Sequence, residues 1–151
     1  MEIRKILFPV DLADPAGAEA VAARVRAFAE AFGAEVLAVH VVAELADMSG
    51  LSVPAETLSG LEADAVAGAE RKLAAFVADR LGGLPVATQV RLGDVAEELL
   101  AAVGDSGADL VIMGTHGRKG LDWVVFGSVA ARLVRAAAVP VLTVNPGTGA
   151  G

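Results

Sequence analysis

The sequence predicts a doubly wound α/β fold, built as one domain on a five-stranded parallel sheet with helices on both faces. Three observations carry that expectation. Five short apolar runs recur along the 151 residues, mostly without the apolar/polar alternation that one wet sheet face imposes. Alanine-rich segments of helical length separate them. Glycine, proline and aspartate stand at the junctions, where strands end and helices are capped. The resulting order, βαβαβαβαβ, joins parallel strands by right-handed crossovers and leaves both sheet faces covered.

Each element has its own signal. Ile3 to Val10 is an apolar run with β-branched residues, closed by Pro9 and Asp11, and reads as a buried strand. Asp14 as N-cap and Pro15 at the first helical position open a helix through Val21, Val25 and Phe28, which Gly33 stops. Glu35 to Val42 is the second strand. Residues 43–54, with Met48, Ser49, Gly50, Ser52 and Pro54, lack a period and read as a loop of the length that lids often have. Ala55 to Arg80 is a long helix with Leu58, Leu61, Ala65, Leu73, Phe76 and Val77 as its apolar stripe, stopped by Gly82 and Gly83. Val86 to Leu92 is the third strand. Asp94 caps a helix over Val95 to Val103, with Glu97 and Glu98 as first-turn acids at the positive end of its dipole. Asp109 to Met113 is the fourth strand, Ser128 to Ala138 the last helix and Val139 to Val144 the fifth strand. The domain is expected to span 1–145, with 146–151 as a frayed Pro/Gly/Thr tail.

Composition narrows the functions. The absence of cysteine excludes disulfides, thiolate metal sites and a cysteine nucleophile. A net charge of −7 argues against nucleic acid as partner, since phosphate backbones need a basic face. The two histidines, His40 and His116, give little material for a metal site or relay. Although 55% of residues are hydrophobic, much of that is alanine, and no run approaches a membrane span. The opening Met1-Glu2-Ile3-Arg4-Lys5 leads straight into a strand, so no membrane partner and a cytoplasmic location are expected.

In open parallel sheets ligands bind beyond the carboxyl ends of the strands, where strand order reverses. The richest such end is Met113-Gly114-Thr115-His116-Gly117. Gly114 and Gly117 allow close backbone approach, and Gly127-Ser128 opens the last helix. A helix start offers unpaired N–H groups and a positive dipole end, and the Ser128 hydroxyl adds a donor, which outlines a phosphate site. Taken singly, these glycines and the Gly-Ser pair are also ordinary turn and cap residues.

Jointly, Gly114-x-x-Gly117-(nine residues)-Gly127-Ser128 resembles the ATP-binding signature of the universal stress protein family. Ile6-Leu7-Phe8-Pro9-Val10-Asp11 resembles that family's opening strand and acid. Ala108 to Gly114 and Val139 to Val144 are similar to its later strands, so the resemblance covers residues 2–144. It implies a Rossmann-like, adenine nucleotide alpha hydrolase-like architecture and membership of the family's ATP-binding branch. It further implies that Asp11 and the backbone near Pro9, Val10 and Val41 surround adenine and ribose. Met113 and Gly114 would lie along the nucleoside, and Gly117, Gly127, Ser128 and Val129 would bind phosphates. Asp122-Trp123-Val124-Val125-Phe126 departs from the pattern by being bulkier and more apolar.

Individual residues keep two readings. Asp11 is read as a ligand contact, against a turn acid at a helix start. His116, beside the phosphate set, is either a base or a solvated loop histidine, and His40 inside its strand is read as structural. Arg118 and Lys119 either screen a phosphate tail or form an exposed turn. Trp123 and Phe126 either pin the loop or offer a patch to a partner.

No activated nucleophile and no Walker-type lysine are present, so strong phosphotransfer is not expected. Mg²⁺ or Mn²⁺ would be held through the phosphates themselves. Three functions compete: a nucleotide-dependent switch in stress response that orders the segment from Gly114 to Ser128, a slow ATPase using water placed by Asp11 or His116, and a nucleotide-independent dimeric scaffold. The last strand, Val139 to Val144, is expected at a sheet edge, where it would pair with a second copy.

Overall fold

The computed structural model describes residues 1–44, 53–115 and 127–146. These contain β1 (Lys5–Pro9), α1 (Pro15–Phe32), β2 (Glu35–Ala43), α2 (Ala55–Arg80), β3 (Val86–Gly93), α3 (Val95–Ser106), β4 (Leu110–Gly114), α4 (Ser128–Ala136) and β5 (Val141–Val144), the order expected. The strands form one sheet in the order β3-β2-β1-β4-β5, and every neighbouring pair is parallel. The chain thus winds outward from β1 through β2 to β3, then crosses back to lay β4 against β1's other edge.

Two cores flank the sheet. Ile6, Phe8, Val36, Ala38, Leu110 and Ile112 pack with Val21 and Val25 of α1 and Leu73 of α2. Leu7, Val39, Val41, Val111 and Met113 pack on the opposite face with Leu99 and Val103 of α3 and Leu133 of α4. Odd and even positions of each central strand are therefore both buried, which explains the unbroken apolar runs.

The capping signals hold. Asp14 Oδ1 accepts from the Gly17 N–H at 3.2 Å and Pro15 begins α1, which Gly33 ends in the left-handed conformation. Asp94 Oδ2 accepts from the Glu97 N–H at 3.0 Å. α3 runs to Ser106, past the expected end at Val103, because its left-handed turn is made only at Gly107. β1 begins at Lys5 and ends at Pro9, narrower than Ile3 to Val10, since Asp11 starts a turn at once. α4 stops at Ala136 and β5 starts at Val141, not at Ala138 and Val139. Val139 precedes a proline, which disfavours helix, and the Pro140 carbonyl accepts the first β4 bond, from the Val111 N–H at 3.0 Å.

The stripe read along α2 is only half used. Leu73 is buried and Phe76 and Val77 pack on the core, but Ala65 is exposed and Leu61 is 46% exposed. Length explains this. A helix of 26 residues is about 39 Å long, while the nine-residue β2 beneath it spans about 30 Å. The amino-terminal turns of α2 therefore overhang the sheet. At its other end, the Arg26 guanidinium of α1 donates to the carbonyls of Arg80 and Gly82, at 3.3 and 2.7 Å, satisfying groups a helix end leaves open. No helix among the described residues is long and apolar enough to cross a membrane.

The overhang separates two leucines of one helix. Leu73→Ala should lower the unfolding free energy by about 2–5 kcal/mol, as buried leucine truncations do, and Leu61→Ala by less than about 1 kcal/mol. Urea melts of both variants check this, and equal losses would place the overhang in the core.

Candidate functional site at the carboxyl end of the sheet

β1 is paired unequally on its two sides. With β2 its register runs from Lys5↔Glu35 to Pro9↔Val39, whereas with β4 it stops at Leu7↔Val111. The Val10 N–H reaches the Val39 carbonyl at 2.8 Å, so position 10 faces β2. Position 9, by alternation, faces β4. A proline there has no N–H to continue the ladder. The sheet splits between β1 and β4, which is also where its strand order reverses.

A cavity of about 490 Å³ occupies the split, within the size range of small-molecule sites. Its wall includes Pro9, Val10 and Asp11 after β1, His40 and Val41 of β2, Met113, Gly114 and Thr115 of β4's end, and Gly127, Ser128, Val129 and Ala130 at the start of α4. Nine of the residues read as site residues from the sequence are thus brought together: Pro9, Val10, Asp11, Val41, Met113, Gly114, Gly127, Ser128 and Val129. His116, Gly117 and Arg118 lie outside the described residues, as do Lys119, Trp123 and Phe126. So does most of the 43–54 loop. Pro146, assigned above to the tail, is part of the wall.

β2 continues four residues past Pro9's partner Val39, pairing there with β3 alone. Val39 uses its carbonyl toward β1, so Val41, two residues on, turns its N–H and C=O the same way, into the space where β1 has ended. A neighbouring donor and acceptor are therefore aimed into the cavity. Asp11 combines its two readings. Its Oδ1 accepts from the Ala13 N–H at 3.0 Å, as a turn acid does, while the residue is exposed in the cavity wall. His40 Nδ1–H donates to the Val10 carbonyl at 2.8 Å. A carbonyl can only accept, so Nδ1 carries a proton and the ring ties β2 to the end of β1. The structural reading of His40 fits that bond.

In the same cavity wall, α4 starts without a side-chain cap. Ala131 N–H makes its first turn, to the Gly127 carbonyl at 3.0 Å, which leaves Ser128, Val129 and Ala130 as the N–H groups that a helix start cannot pair internally. Gly127 differs from the expected pattern. Its N–H is spent on the Thr115 carbonyl at 2.8 Å, and its φ of −62° is open to any residue. What glycine contributes at this position is the absence of a side chain before the three open amides.

Thr115 was missed in the sequence, where it is one of the variable positions between Gly114 and Gly117. It is 4% exposed, and its N–H donates to the Val144 carbonyl at 2.9 Å. Among the described residues its hydroxyl has no hydrogen-bond partner. The only hint available was a polar residue directly following a fully apolar strand.

A family model described as "Universal stress protein family" matches residues 2–145. Universal stress protein MJ0531 of Methanocaldococcus jannaschii is 32% identical over 144 residues, which cover 94% of this chain and 82% of that one. Universal stress protein MJ0577 of the same organism is 28% identical over 155 residues, covering 94% of each chain. Its solved structure superposes with a TM-score of 0.80 at 27% identity, over 96% of this chain and 97% of that one. Two more distant structures share the fold. One is a universal stress protein in complex with cAMP, with a TM-score of 0.60 at 16% identity over 97% and 99% of the two chains. The other is the Archaeoglobus fulgidus universal stress protein in complex with dAMP, with a TM-score of 0.58 at 18% identity over 95% and 98%. With a family model spanning nearly its whole length and a doubly wound parallel sheet that superposes on a solved relative, the chain belongs to the universal stress protein family.

Proposed function

We propose that this protein binds an adenine nucleotide, ATP foremost, in the crevice between β1 and β4 and serves as a nucleotide-dependent switch in stress response. The observation that carries the reading is one continuous cavity with a free strand edge at Val41 and the open first-turn amides of α4 both in its wall. A purine base and a phosphate chain need those two kinds of wall. Adenine presents an acceptor beside an amino donor on its edge, complementary to the N–H and C=O of Val41, with Pro9 and Val10 as apolar neighbours. Asp11 would accept from ribose hydroxyls, and Met113 and Gly114 would run along the nucleoside.

The phosphates would take the amides of Ser128, Val129 and Ala130, the Ser128 hydroxyl and the positive end of the α4 dipole. Hydrogen bonds to charged groups contribute about 1.5–3 kcal/mol each, so a few such bonds suffice on an acidic protein. His116, Gly117 and Arg118 join this end on the sequence pattern. Among the described residues no three of His, Cys, Asp and Glu converge to hold a metal. In this reading Mg²⁺ or Mn²⁺ arrives with the nucleotide and is held through its phosphates. The cAMP and dAMP complexes of the two distant relatives support an adenine ligand.

Calorimetric titration with millimolar ATP and Mg²⁺ should give saturable heat and raise the melting temperature. Gly127→Asp, which sets a carboxylate before the amides, should weaken binding at least about tenfold. Absence of both heat and thermal shift with the wild-type chain would end the nucleotide reading.

A second copy is part of the proposal, favoured by the edge position of β5 and its half-exposed Val141, Leu142 and Val144. The Pro140 and Val144 carbonyls accept from β4, so even positions face β4 and Val141 and Thr143 face outward. Thr143→Pro removes an outward N–H and spares the β4 ladder. Light scattering at tens of micromolar should report a dimer for wild type and a monomer for Thr143→Pro. A monomeric wild type contradicts the pairing.

A further inference from the structure

Thr115 is the one polar side chain among the described residues that is buried, at 4% exposure, and its Oγ1 has no hydrogen-bond partner. An enclosed, unpaired hydroxyl destabilises a fold, and valine has nearly the same shape without that cost. The main chain of Thr115 is already committed. Its N–H holds Val144 at the end of β5 and its C=O receives the Gly127 N–H at the start of α4. The hydroxyl takes no part in either bond.

Its location follows from the strand. Val111 and Met113 belong to the core between the sheet and α3 and α4, and side chains two apart share a face. Thr115 therefore turns toward the first turn of α4, and it lines the same cavity as Ser128, Val129 and Ala130. Three helix-start amides and one hydroxyl, none with a hydrogen-bond partner among the described residues, form a set of donors. The matching ligand group carries several acceptor oxygens and negative charge.

We infer that the Thr115 hydroxyl is a binding group of this crevice, donating a hydrogen bond to a phosphate oxygen of the bound nucleotide alongside the open amides of α4. The inference rests on the nucleotide reading above and adds a contact that selects for the phosphorylated ligand over the bare nucleoside.

Thr115→Val and Thr115→Ser, compared with wild type, separate this role from a structural one. Without ligand, Thr115→Val should melt no lower than wild type, because it removes an unpaired hydroxyl. Calorimetry should show its ATP affinity reduced about tenfold or more. Its adenosine affinity, measured by displacement of ATP, should change by less than about twofold, while Thr115→Ser should keep ATP affinity within about threefold. If wild type binds ATP and Thr115→Val binds it equally well, or loses ATP and adenosine alike, the inference is overturned and the nucleotide reading stands. A wild-type chain that gives no heat with ATP removes both.

Discussion

A strand that meets a proline loses its pairing on the side to which the missing N–H would have pointed, and keeps it on the other. At Pro9 that asymmetry falls on the edge facing β4, where the strand order also reverses. β2 is left running on beside β3 with one edge unpaired, and the Val41 peptide faces the opening. Everything at the candidate site depends on that split. Without it, β1 and β4 would close over the cavity and the start of α4 would look onto a continuous ladder.

The walls of the split are of two chemical kinds, and the protein's charge makes the distinction matter. With a net charge of −7, and with Asp11 and Asp14 in the cavity wall, there is no broad positive field to draw in an anion. Arg132 of α4, one turn into the helix, is turned toward Asp94 and Glu97 of α3 at 3.5 and 3.7 Å. Among the described residues, donors at the α4 end come from fixed backbone dipoles and hydroxyls. Such donors are preorganised by the helix and act only at short range, which is how an acidic surface can hold a phosphate group at one place.

Much of this was legible in the sequence because it is written locally. Asp14-Pro15, Asp94 and Gly33 announce caps through their own backbone chemistry, and two-sided apolar runs announce a sheet buried on both faces. Other features depend on what lies across the fold. The exposure of Leu61 follows from α2 being longer than the sheet beneath it, and the Arg26 cap on α2 joins residues more than fifty positions apart. At the site, the glycine pattern located the start of α4. It could not reveal that the Gly127 N–H is spent on Thr115, or that the hydroxyl of Thr115 is left without a partner, because both facts arise only when β4, β5 and α4 meet.

The central claim is that a ligand's phosphates are held by the open amides of α4. It is tested most directly by following the backbone ¹H–¹⁵N resonances of the full chain during titration with ATP and Mg²⁺. The account predicts that Ser128, Val129 and Ala130 shift together and downfield, as amides do when they acquire charged acceptors, with Val41 responding at the same concentrations. Binding that leaves those three amides unmoved, with shifts confined elsewhere, would contradict it.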